Sequence, residues 1–202
     1  MDEERQESFF GRIEGLIRTG QEIILRPQGF FKNLPAKDGY LRPLLFSMVI
    51  FCIVLGYNLV LVSSGLLRPD GQGSADSPSL TDALTNVPVL VVLWLFGLIL
   101  GSLVLHATFK LLKGKGRFES TFSIFAYSSI ANLLTIIPSI GHYACTIYTL
   151  VLIMLAGRVV HKLSSIRAVA APILPALVLW GVMMVLVLSG IIPIERLTSS
   201  LK

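Results

Sequence analysis

Residues 44–67, 83–109, 120–157 and 168–194 contain no Asp, Glu, Lys or Arg, and charge is confined to the segments between them. As helices rising ~1.5 Å per residue, 24 and 27 uncharged residues reach about 36 and 40 Å, enough to cross the ~30 Å hydrocarbon core of a bilayer. The 38 residues of 120–157 would reach about 57 Å as one rod, so this stretch must fold back. Pro138-Ser-Ile-Gly141 lies near its middle and supplies a helix breaker and a permissive glycine. The expected fold is therefore all-α and polytopic, with five transmembrane helices at about 44–67, 83–109, 120–137, 142–160 and 168–194. A re-entrant hairpin over 120–157 would satisfy the same pattern. Composition agrees with a bilayer as solvent: 53% of residues are apolar, 14% are charged, and the mean hydropathy is +0.76.

The basic residues provide an independent test of this layout, because cytoplasmic loops near span ends are enriched in Lys and Arg. Fourteen lie in the N-terminal segment, the loop at 110–117 and the loop at 158–167, against three (Arg68, Arg196, Lys202) on the opposite side. The split predicts a cytoplasmic N-terminus and an external C-terminus. Segment 68–82, rich in Gly, Ser, Pro and Asp, reads as a solvated outer loop.

Ahead of the first run, Phe9, Ile13, Leu16, Ile17, Ile23 and Ile24 recur near helical spacing among Arg12, Glu14, Arg18 and Glu22. This predicts an amphipathic interfacial helix over 9–25, ended by Pro27, with Phe30 and Phe31 continuing its apolar edge. The expected organisation is a cytoplasmic segment (1–43), a membrane domain (44–194) and a tail (195–202). The acidic start and the late first apolar run predict no cleavable signal peptide. Cys52 and Cys145 fall inside apolar runs at different expected depths, which speaks against a disulfide.

An enzyme or ion pathway normally places an acid, a base or a metal ligand at depth, and of the five expected spans only the fourth holds a formal charge, Arg158 at its very end. No HExxH, GxSxG or P-loop occurs. His142 and Cys145 share a helical face but make only two ligands. His106 and His161, at the inner ends of spans two and four, could meet, and with Glu119 nearby would be the nearest thing to a metal set. No metal and no cofactor are expected. Asn58, Tyr127, Asn132 and Tyr148 are the intramembrane polar candidates, as helix-to-helix hydrogen-bonding groups or as the lining of a cavity. Gly97 and Gly101 form a GxxxG that permits close helix packing, within the bundle or in a homo-oligomer. Lys110, Lys113, Lys115 and Arg117 form a basic loop suited to anionic lipid head groups, with Gly114 and Gly116 giving it flexibility.

Four stretches carry a family resemblance. Leu25-Arg-Pro-Gln-Gly-Phe30-Phe31 resembles the pre-membrane proline and aromatics of the Yip-one family of Ypt/Rab-interacting integral membrane proteins. Gly114-Lys-Gly-Arg-Phe118-Glu-Ser-Thr-Phe122 is similar to its glycine-basic loop, Ala126-Tyr127-Ser128 follows in the expected place, and 147–168 resembles its fourth span and the loop beyond. One departure is visible: Ser129, Ile130 and Ala131 stand where the family pattern has a proline. The resemblance implies a helical membrane domain with a cytosolic N-terminal segment and, in eukaryotic members, association with Rab-type GTPases. The compact chain points to a bacterial inner membrane, where the expected role is a non-enzymatic scaffold or adaptor. Its cytoplasmic face, including Phe9, Phe10, Phe30, Phe31 and the basic loop, would engage anionic lipid or a protein partner, with no nucleic acid involved. The alternative is a small transporter, channel or lipid-moving protein with a polar intramembrane cavity.

Overall fold

The computed structural model describes residues 2–34, 39–64 and 80–188, which form seven α-helices and one 3-10 segment with no strand among them. In chain order these are α1 (Asp2–Leu25), α2 (Pro27–Lys32), α3 (Leu41–Ser63), α4 (Leu80–Leu111), α5 (Phe118–Ser128), the 3-10 segment Ser129–Ile136, α6 (Gly141–Val160) and α7 (Ser165–Leu188). Residues 65–79, the end of the last expected span, the tail at 195–202 and the side chains of Phe9 and Phe10 lie outside the described residues.

Leu41–Ser63, Ala83–Leu111 and Gly141–Val160 are long and apolar enough to cross a membrane by length and composition. Their large apolar side chains point outward: α4 alone exposes Leu93, Phe96, Leu100 and Leu103. That distribution suits hydrocarbon as solvent and would be costly in water. In α7, Pro172 and Pro175 lie inside the helix, well beyond its first turn, because the helix begins at Ser165 and not near 168 as the apolar run suggested.

The expected third span is not one uniform α-helix. It is α for eleven residues and 3-10 for the next eight, changing at Ser128–Ser129 without any proline. Within the 3-10 segment Thr135 Oγ1 donates to Asn132 O at 2.6 Å. The chain then reverses where expected. Ser139 adopts φ 65°, and Gly141 begins α6 so close to Leu134 O that a Cβ could not fit. The hairpin tip is pinned where Tyr57 Oη donates to Ile136 O at 2.9 Å. Tyr57 lies about 24 Å along α3 from Leu41 at ~1.5 Å per residue.

The bundle closes around α5, which buries Thr121–Ile124 and Ala126–Ser128. Phe46 of α3 and Phe30 of α2 both meet the Tyr127 ring, at centroid distances of 5.2 and 5.0 Å. The amphipathic helix is longer than expected, starting at Asp2, and part of its apolar face packs on protein. Ile23 is fully buried, Gly20 abuts Ile130, and Tyr148 Oη donates to Ile23 O at 3.3 Å. A second face keeps Ile17, Ile24 and Leu25 exposed.

Candidate functional site

The C-terminal ends of α4 and α6 are each followed by a lysine with left-handed backbone, Lys113 at φ 66° and Lys162 at φ 53°. At α4 the Gly114 N–H donates to Phe109 O and the Lys113 N–H to Lys110 O, a paired cap that satisfies carbonyls the helix end would otherwise leave open. The following loop runs across the start of the α6–α7 connection, where the Lys115 N–H donates to His161 O at 3.0 Å. Gly114 and Gly116 are therefore contact residues more than flexible joints. A Cβ on Gly116 would lie 2.6 Å from the His161 ring, and one on Gly114 would lie 2.8 Å from Phe109 O.

His161, with no exposed surface, sits beneath this loop against the Phe109 ring at a centroid distance of 4.2 Å. Thr121 Oγ1 lies 2.9 Å from its Nε2 and 2.8 Å from Nδ1 of His106, so one hydroxyl joins α5 to α4 and to the α6–α7 connection. The same hydroxyl lies 3.4 Å from Arg117 O, and with one proton it donates to only one of these three groups. His161 Nδ1 has no partner among the described residues. Leaving a lone pair unpaired is cheaper than leaving an N–H unpaired, which favours His161 Nε2–H donating to Thr121. Burial, followed by the nearby charges of His106 and Lys110, lowers the His161 pKa to about 4, so it is neutral at physiological pH. The pairing of His106 with His161 thus exists, but it runs through a threonine; Glu119 faces Arg117 at 3.5 Å, and no group of three potential metal ligands occurs among the described residues.

Outside this lock, Lys110, Lys113, Lys115 and Arg117 are all exposed. Of the aromatic candidates, Phe31 is in the core and Phe30 half-buried beside Tyr127. The four intramembrane polar candidates do not share a cavity. Asn58 donates to Val54 O within its own helix, Tyr127 packs in the aromatic core, and Tyr148 reaches α1. Asn132, whose Oδ1 accepts from Cys145 Sγ at 3.3 Å, borders a cavity of about 320 Å³ lined also by Ser47, Trp94, Gly97, Phe125, Ser128, Ser129 and Thr149. Of the residues around this cavity, residue type singled out Asn132 and not Ser47 or Thr149. In the GxxxG pair, Gly101 accommodates the Phe125 ring inside the chain, while Gly97 has open space where a Cβ would stand.

An all-helical bundle with several membrane-length helices and apolar surfaces turned outward is an integral membrane protein. The chain belongs to the Yip1 domain family, whose model matches residues 22–188 and so takes in every helix from the end of α1 to the end of α7. No curated protein and no solved structure matches it.

Proposed function

We propose that this protein is a non-enzymatic membrane scaffold or adaptor that presents a basic cytoplasmic face to anionic lipid head groups or to a protein partner. One observation carries the reading. The exposed cations Lys110, Lys113, Lys115 and Arg117 lie on a loop held down at His161, so they form a fixed surface and not a floating tail. Each cation near an anionic leaflet contributes about 1 kcal/mol of attraction. The exposed Ile17, Ile24 and Leu25 of α1 would add a shallow apolar anchor.

The topology that goes with this reading has five spans in a bacterial inner membrane, N-terminus inside and C-terminus outside. The 14-to-3 division of basic residues supports it. So does length: α5 and the 3-10 segment placed end to end reach about 32 Å, and α6 about 30 Å. Membership of a family of non-enzymatic, protein-interacting membrane proteins points the same way.

The test is native mass spectrometry of the protein extracted in mild detergent, with and without Gln at positions 110, 113, 115 and 117. Retention of phosphatidylglycerol or cardiolipin, or of a stoichiometric protein partner, by the wild type and its loss from the variant is the expected result. Equal retention by both would refute the role given to the basic loop.

A further inference from the structure

Along the bundle axis, Val160 and Phe118 mark one end, beside the basic loop, and the reversal at Ser139–Gly141 marks the other. α1 and α2 meet the bundle at neither end. Tyr148, whose Oη donates to Ile23 O, stands twelve residues before Val160, ~18 Å along α6 from the basic end. Ile130, which Gly20 abuts, stands twelve residues after Phe118, ~19 Å from the same end. Tyr127, on which the Phe30 ring packs, lies ~14 Å from it. Three independent contacts thus seat α2 and the end of α1 about halfway up the bundle.

That halfway position is polar. Arg18, Glu22 and Arg26 border one shallow groove with Gln21 and Leu25, and Lys32 is exposed on α2. Ile17, Ile24 and Leu25 are exposed among them, the mixed surface of a helix at a boundary between water and hydrocarbon. α4 shows the contrary on a different face, since it packs on α3, α5 and α7 while α1 and α2 lie against α6 and the 3-10 segment. There Leu103, Val104 and Leu111 are exposed and apolar as far as the basic end, as is Ile166 at the start of α7. A flat bilayer surface cannot satisfy both faces. Set at the basic end, it would hold Arg18, Glu22 and Arg26 in hydrocarbon; set at α1, it would leave the last ~18 Å of α4 in water with its apolar side chains. Charge in hydrocarbon is costly, whereas a bilayer thins at a modest cost. We infer that lipid head groups on the side of the basic loop descend along α6 to meet Arg18, Glu22 and Arg26, so that the protein thins the bilayer on its α1 face. The inference rests on the five-span reading, in which that side is cytoplasmic.

The test is the depth of a nitroxide on the full chain in vesicles of phosphatidylethanolamine and phosphatidylglycerol. With Cys52 and Cys145 replaced by Ala, the label is attached through Gln21→Cys on α1 or Leu103→Cys on α4, both exposed positions. Leu103 lies ~12 Å from the end of α4, nearer the basic end than Gln21. Electron paramagnetic resonance compares collisions of the label with a water-soluble nickel chelate and with oxygen, which concentrates in hydrocarbon. A thinned face predicts that the order of depth is reversed: nickel dominates at the Gln21→Cys label and oxygen at the Leu103→Cys label. Arg18→Leu, Glu22→Leu and Arg26→Leu together should abolish the nickel preference on α1, because nothing then draws head groups down, and leave the α4 label unchanged. Oxygen dominating at both labels would overturn the inference by placing α1 in hydrocarbon. Nickel dominating at both would overturn it by setting a flat surface at α1. Failure of the five-span reading is seen separately, as protection of a Ser139→Cys protein from an impermeant reagent outside.

Discussion

The Thr121 hydroxyl lies 2.9 Å from His161 Nε2, joining residues 40 apart in sequence at the point where α4, α5 and the α6–α7 connection meet. Because the same oxygen also meets His106, its removal strands two imidazoles at once. Thr121→Val should lower stability by about 1–3 kcal/mol, the cost of leaving buried polar groups unpaired. Thr121→Ser should restore most of it. Thermal unfolding in mild detergent measures both.

The buried imidazole also makes stability depend on pH in a defined direction. Its folded pKa of about 4 lies below the ordinary 6.5, so the unfolded chain binds the proton more readily. The contribution is fully present above pH 6.5 and is lost as pH falls toward about 4. The loss through His161 alone amounts to roughly 3 kcal/mol at ~1.4 kcal/mol per unit. Melting temperatures measured from pH 7 down to 4 should fall more steeply for the wild type than for His161→Asn; parallel curves would contradict the assigned burial.

Two glycines that look alike in sequence should respond oppositely to a methyl group. Gly116→Ala drives a Cβ into the His161 ring and should cost about 1–3 kcal/mol by overpacking. Gly97→Ala meets nothing and should be neutral, or stabilise by up to about 1 kcal/mol through helix propensity. Melting curves of the two variants, run side by side, provide the comparison.

Phe31 anchors the short helix between α1 and the bundle. Phe31→Ala should cost about 3–5 kcal/mol as a core truncation. It should also loosen α1, which limited trypsin cleavage at Arg18 or Arg26 would detect as faster cutting.

The bundle was legible in sequence to the extent that it depends on hydrocarbon. Runs without charge and the position of Pro138–Gly141 gave the helices and the reversal, since both follow from the cost of charge and of unpaired backbone in a bilayer. The change to 3-10 at Ser129 was not legible, because no proline or glycine marks it in the sequence. Amphipathicity located α1 but could not tell a lipid-facing stripe from the Gly20–Ile23 face that packs on Ile130. Where α4 and α6 end, the pairing of His106 and His161 was foreseeable from span ends, whereas Thr121 between them was not. Gly114 and Gly116 read as flexibility only because the ring they accommodate lies 40 or more residues away in sequence.

The account stands most directly on which side of the membrane the basic loop and the hairpin tip face. Single-cysteine proteins, with Cys52 and Cys145 replaced by Ala and a cysteine introduced by Lys115→Cys or Ser139→Cys, can be exposed to a membrane-impermeant maleimide in intact cells. The five-span layout predicts that the Ser139→Cys protein reacts from outside and the Lys115→Cys protein only after permeabilisation. Labelling of the Lys115→Cys protein in intact cells, or protection of the Ser139→Cys protein until permeabilisation, would contradict it.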